Sequence, residues 1–189
     1  KGALDRKLKD LKVKITEDDE GEIKFTSKYA GSKSDIDTVF TNVKIYIPKK
    51  IDIQEINLES GSLKIYDDME CNLRAEIGKA NIDINRIEGV INLRVDAGNV
   101  RINGGRLENN STIEINKGNI DIKTELKINA DYKFGTNIGF INLNLPEDSA
   151  VRFDNTGNVE INEFENTDPA AKVRLKCEIG KIYIKKYRE

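Results

Sequence analysis

A unit made of glycine, one further residue and an alternating apolar triplet recurs from residue 61 almost to the end of the chain. Its glycines stand at Gly61, Gly78, Gly98, Gly118, Gly139, Gly157 and Gly180, spaced 17, 20, 20, 21, 18 and 23 residues apart. The apolar positions that follow include Leu63/Ile65, Val100/Ile102, Ile120/Ile122, Ile141/Leu143, Val159/Ile161 and Ile182/Ile184. Gly78 reads as the same unit, with Ala80 at its first apolar place before Ile82 and Ile84. A second alternating run precedes most of the glycines: Ile56/Leu58, Leu73/Ala75/Ile77, Leu93/Val95, Ile113/Ile115, Val151/Phe153 and Leu175/Cys177/Ile179. Period-two alternation rich in Ile and Val marks half-buried strands. Each unit of about 20 residues therefore carries two short strands with a glycine between them.

Side-chain parity shows what the glycine does. Before Gly118 the apolar residues are odd-numbered (Ile113, Ile115), and after it they are even (Ile120, Ile122). In a flat strand such a slip would turn the second half inside out. The glycine therefore marks a corner that re-aims the chain toward one interior. Only Gly157 keeps parity, behind a linker one residue longer. A near-constant pitch with the same residue types at the same places predicts an all-β, single-domain β-solenoid of about seven coils. An antiparallel β-sandwich is the alternative. Asn recurs after the glycine (Asn99, Asn119, Asn158) and around the triplets (Asn85, Asn103, Asn116, Asn144, Asn162), where stacked amides can bond as ladders.

Residues 1–55 fit the unit poorly and read as irregular strands capping the repeats, with residues 56–189 as the repeat region of one domain. Leu11/Val13/Ile15, Ile23/Phe25 and Val43/Ile45/Ile47 read as strands, the last ended by Pro48. Glu17–Gly21 reads as an acidic turn and Gly31–Asp35 as a polar loop. Leu4, Leu8 and Leu11 allow a short helix or a frayed terminus. The chain opens on Lys1, not Met, which leads us to expect a leader, tag or anchor upstream.

Composition limits the chemistry. The 189 residues hold no His and two Cys, which excludes histidine acid–base catalysis, His-containing metal sites, four-cysteine zinc sites and CxxC redox pairs. With 31 Lys+Arg against 33 Asp+Glu, the basic excess of a nucleic-acid binder is lacking. No nucleophile elbow or phosphate loop occurs, and Gly104-Gly105 reads as a turn. The outward positions within the triplets are Lys64, Asp83, Asn92, Arg101, Asp121, Asn142, Glu160 and Tyr183, a mixed column with Arg101 between the two aspartates. That is a solvated face, where an acidic catalytic or calcium site would stack two or three carboxylates. Asp67-Asp68 and Glu17–Glu20 lack calcium-loop spacing. Cys71 and Cys177 read as buried small hydrophobes. The basic end Lys185, Lys186, Arg188 reads as a tail masking the edge of the last strand. Tyr46, Tyr66 and Tyr183 are the candidates for a stacking surface. No catalytic residue, cofactor or metal ligand is assigned.

The Gly-x-apolar-x-apolar unit from Gly61 to Ile184, the Val43/Ile45/Ile47-Pro48 opening, and its later copy Ile141/Leu143/Leu145-Pro146 resemble a bacterial family named for adhesins. These are cell-envelope β-solenoid domains whose function is not established. The resemblance covers about residues 40–184. It implies a stacked-β fold, no known enzymatic activity and a place outside the cytoplasmic membrane, often behind an N-terminal anchor. It carries over no site residues. The expectation is a non-catalytic extracytoplasmic module, an adhesin or protein-interaction scaffold, with no cofactor. Its partner would be an envelope protein or a polysaccharide, not nucleic acid, and a membrane only through a segment upstream of Lys1. The alternatives are a polysaccharide-binding or polysaccharide-active β-helix protein, marked by carboxylates of adjacent coils in one groove, and a spacer without a ligand.

Overall fold

The computed structural model describes residues 11–19, 21–29 and 43–188. The chain divides into two compact units, Lys1–Tyr46 and Ile47–Glu189. In the first, β1 (Leu11–Glu17) and β2 (Ile23–Tyr29) pair as an antiparallel hairpin. The acidic run forms its turn, with Gly21 at φ 80° and the Asp18 carboxylate accepting from the Glu22 amide at 2.8 Å. The expected helix within residues 1–10 and the loop Gly31–Asp35 lie outside the described residues. Val43, Ile45 and Ile47 do not form the strand their alternation predicts. They are exposed, and parallel pairing starts only at Lys50, opposite Glu70. Alternation makes a strand only where a neighbour supplies a ladder.

The second unit is a parallel β-solenoid of seven coils. The first two coils are the continuous strands β3 (Ile53–Glu70) and β4 (Leu73–Gly89). The third coil is β5 (Ile91–Ala97), β6 (Val100–Ile102) and β7 (Gly105–Leu107). The fourth is β8 (Ser111–Lys117), β9 (Ile120–Lys123) and β10 (Glu125–Leu126), and the fifth is β11 (Asp131–Pro146). Two more follow in sequence, β12 (Val151–Thr156) with β13 (Val159–Asn162), and β14 (Ala171–Tyr187). Every pairing among these strands is parallel, which sets the sandwich aside.

Three features differ from the two-strand unit read in the sequence. Coils three and four have a third short side, carried by β7 and β10, and the end of β4 supplies it in the second coil. Its strands are too short to show alternation. The corner column is Gly61, Ala80, Gly98, Gly118, Gly139 and Gly180, with Ala80, not Gly78, in the corner of the second coil. The Gly78 copy is thus offset by two residues. Gly157 also leaves the column: it abuts the Cys177 carbonyl, and the register shifts between Val159 and Ile161.

The third difference is the order of stacking. The coils lie as β3, β4, β5, β8, β11, β14, β12, so the last coil in sequence sits between the fifth and the sixth. β14 is paired on both sides, and Lys185 and Lys186 of the basic end lie within it, in register with Asn144 and Leu145, so the basic end is not a tail masking an edge, contrary to expectation. Its cations act locally: Lys186 lies over the Phe164 ring and Arg188 binds Glu147 at 2.7 Å. The sixth coil ends the stack, and residues 163–170 close its outer edge. There Thr167 N donates to Val151 O (2.9 Å) and Phe153 N donates to Asn166 Oδ1 (2.9 Å), while Phe164 packs at 6.3 Å from Phe153. At the other end β3 has no second neighbour among the described residues, and Ile53, Ile56, Leu58, Leu63 and Ile65 are only half-buried.

The interior is a column of mainly aliphatic side chains, with Ile84, Ile91, Val100, Ile113, Ile120, Ile141, Leu143 and Ile182 fully buried. The corner amides form the ladder that the recurring Asn predicted, and Asn81 joins it once Ala80 is placed in the corner. Asn99 donates from N and Nδ2 to Asn81 Oδ1, Asn119 N donates to Asn99 Oδ1 at 3.0 Å, and Phe140 N donates to Asn119 Oδ1 at 2.9 Å. Asn158 stands outside the ladder because its coil is the displaced one. Asn99→Ala removes the acceptor of the Asn119 amide. The expected loss is about 1 kcal/mol, seen as a fall in Tm of about 2–4 °C by scanning calorimetry.

Candidate functional site

The outward columns are held by cross-strand charge pairing. On one side Glu76, Arg94 and Glu114 succeed one another, and on the next Lys64, Asp83, Arg101 and Asp121 do, with Arg101 3.6 Å from Asp121. Arg101 thus separates Asp83 from Asp121, as the sequence indicates. Asn92 belongs to the other side of the coil, beside Arg74 and Thr112, and not to that column. Asn142 and Tyr183 extend the column, and Glu160 pairs with Lys181 at 2.9 Å. Asp68 accepts from Asn85 Nδ2 at 3.1 Å and faces Arg86 in register. Cys71 and Cys177 are free and buried, and burial pushes both thiols up.

Against this charged surface, one corner is apolar. Ile138 and Ile179 are register neighbours on β11 and β14, and are 44% and 65% exposed. Phe140 is 43% exposed, and its ring lies 6.5 Å from that of Tyr183 at an interplanar angle of 41°. Ile161, on the bulged β13, falls in register with Tyr183. Lys185 lies over the Tyr183 ring at 5.6 Å. The corner glycines create this face. At Gly139 and Gly180 the chain turns, so the residues immediately before and after it point away from the core. In other coils the same places hold Lys79, Ala97 and Lys117 before the corner, and Asn81, Asn99 and Asn119 after it. The substitution of Ile and Phe for Lys and Asn is therefore local to the fifth coil and its new neighbour.

Sequence reasoning found Tyr183 and missed the rest. Ile179 extends Leu175/Cys177 in perfect alternation and so reads as core; the structure turns it out because the corner intervenes. Ile138 is hidden by the same rule after Phe134 and Thr136. The signal available was positional: comparing the residues flanking each corner separates Ile138, Phe140 and Ile179 from the polar residues and the one Ala of the other copies. Tyr66, on β3, is 71% exposed and apart from this corner, and Tyr46, at 92%, belongs to the first unit.

No protein-family model, curated protein or solved structure matches the chain significantly.

Proposed function

We propose that this chain is a non-catalytic interaction module of the bacterial cell envelope, an adhesin-like scaffold that engages a protein partner through the corner Ile138, Phe140, Ile179, Tyr183. The observation that carries this reading is the apolar corner itself. In a chain with 34% charged residues, the neighbouring coils place Lys and Asn where this one places Ile and Phe. Clustered exposed apolar side chains on a charged surface mark contact sites, and aromatic anchors dominate the energy of such contacts. A stack of parallel strands gives that corner a rigid base, so little ordering cost falls on binding. The dispersion of carboxylates among basic neighbours, as at Asp83, Arg101 and Asp121, supports the non-catalytic part of the reading.

The test compares the wild-type chain with the double variant Phe140→Ser/Ile179→Asp for co-sedimentation with purified bacterial envelope fragments. Both positions are solvent-facing, so thermal stability should stay within a few degrees. Wild-type protein is expected to sediment in a saturable way, and the variant to bind at least tenfold more weakly, a loss of about 1.4 kcal/mol or more. Equal sedimentation of the two proteins, or none of the wild type, refutes this reading; the latter leaves the spacer reading in its place.

A further inference from the structure

The geometry points to a second, separate site: we propose that the groove across β8, β11, β14 and β12 binds an acidic polysaccharide, with its uronate carboxylates on Lys133, Arg152, Lys172 and Arg174. The groove has a volume of about 310 Å³ and is open to solvent. It lies on the side of the coil carried by β5 and β8, not at the apolar corner, so it does not depend on the reading above.

Charge placement carries the inference. Like charges directly opposite on neighbouring strands are destabilising. Most charged register neighbours of the solenoid are of opposite sign, including Glu76/Arg94, Arg94/Glu114, Lys64/Asp83, Asp83/Arg101 and Arg101/Asp121. In the groove the alternation fails twice, side by side. Lys133 stands opposite Arg174, and Lys172 opposite Arg152. The one acidic counterpart among the described residues, Glu70 opposite Glu88, is neutralised by Lys49 and Lys50 at 3.3 and 2.7 Å and by Arg86 and Arg106 at 3.3 and 3.9 Å. Three of the groove cations have one carboxylate partner each: Arg174 has Asp154 at 3.3 Å, Arg152 has Asp168 at 3.6 Å, and Lys133 has Glu114. Lys172 sits among three of these charges, with Asp131 beside it in register. The groove lining thus holds four cations against two carboxylates, Asp131 and Asp154, in a chain whose formal net charge is −2.

The same groove favours a glycan over a nucleic acid or a polyphosphate. Asp131 and Asp154 stand in register with Lys172 and Arg174 and line the groove with Thr112. Carboxylate oxygens only accept, so they suit the dense hydroxyl donors of a sugar chain, which a backbone of phosphates lacks. Each of the two register rows, Asp131/Lys172/Arg152 and Lys133/Arg174/Asp154, offers two cations for acid groups and one acceptor for hydroxyls, which fits a linear polymer that carries both.

Titration of the full chain with oligogalacturonate tests this, using its fully methyl-esterified form and inorganic polyphosphate as the other arms. The expected result is saturable binding of the acid form. Its affinity should fall at least tenfold between 50 and 200 mM salt, in the sense expected of ion release, with little binding of the ester. Lys172→Gln/Arg152→Gln should weaken it at least tenfold at unchanged Tm. Asp131→Asn/Asp154→Asn should weaken the glycan while strengthening polyphosphate. Phe140→Ser/Ile179→Asp should leave glycan binding unaltered. No binding of the acid form at low salt overturns the proposal, as does indifference to Lys172→Gln/Arg152→Gln. Tighter glycan binding in Asp131→Asn/Asp154→Asn would likewise assign the groove to any polyanion and overturn it.

Discussion

Gly118→Ala is expected to unfold the centre of the stack, whereas Gly61→Ala is expected to be tolerated. Both glycines occupy the same corner column, at φ 144° and 135°, where a side chain is strained in either case. The conformational cost alone is about 1–3 kcal/mol. The difference is what lies beneath. A Cβ at Gly118 would stand 1.6 Å from the Gly98 carbonyl oxygen and 2.6 Å from its carbon. Neither backbone can retreat, because Gly118 N donates to Ile138 O at 2.8 Å and Gly98 N donates to Lys117 O at 2.9 Å. Relief requires parting two coils over Ile120, Ile122, Val100 and Ile102, all of which are buried. The loss should exceed about 4 kcal/mol, the range reached only by severe steric or core damage, against a total domain stability of about 5–15 kcal/mol. At Gly61 nothing lies within 4 Å of the added carbon, since β3 is the first coil. Chemical denaturation followed by circular dichroism separates the two: a Gly118→Ala protein as stable as Gly61→Ala would mean that the coils do not meet carbonyl-to-glycine.

The contrast also explains what the sequence made legible. Gly98, Gly118, Gly139 and Gly180 are each forced by a carbonyl of the neighbouring corner, a contact the second coil escapes with Ala80, and their recurrence announces the solenoid. Asn99 and Asn119 follow because each corner amide needs an acceptor on the coil before. What repeats weakly was not legible. The third side is built by segments as short as Gly105–Leu107, in which a single inward residue, Leu107, follows the corner glycine. The apolar corner was obscured by a conflict of rules: Ile179 obeys strand alternation, and the turn at Gly180 overrides it. The groove was invisible for a different reason. Lys133, Arg152, Lys172 and Arg174 are distributed over three segments, and only the stacking order makes neighbours of them. That order leaves one trace in the sequence, the unequal intervals of 18 and 23 residues on either side of Gly157, which mark a displaced coil without saying where it goes.

Ending the chain at Asn162 is expected to release two coils, not one. In a solenoid stacked in sequence order, loss of residues 163–189 would remove the outermost turn and leave β12 and β13 resting on β11. Here β14 lies between them. Its removal takes away Val173, Leu175, Cys177, Ile182 and Ile184, all buried. At roughly 1.5–3 kcal/mol for each large aliphatic side chain, that is on the order of 10 kcal/mol of apolar burial. The sixth coil cannot slide one place to fill the gap. Thr156 aligns with Lys176 and Val159 with Ile182, so the corner of β12–β13 spans fewer residues than the corner of β14 or β11 that it would have to match. Asn155, in register with Leu175, would carry its amide onto the Phe134 column. Nearest-neighbour stability in repeat folds confines the damage to the coils that touched β14. In the truncated protein, amides of β12 and β13 should exchange with deuterium at nearly unprotected rates, while those of β4, β5 and β8 stay protected and β11 keeps its pairing with β8 and β9. Continued protection of β12 and β13 would show that they pack on β11 directly and would refute the interleaved order. Loss of protection in β12 and β13 with β11 still held requires it, because only a coil inserted from the end of the chain can separate β11 from the coil that follows it in sequence.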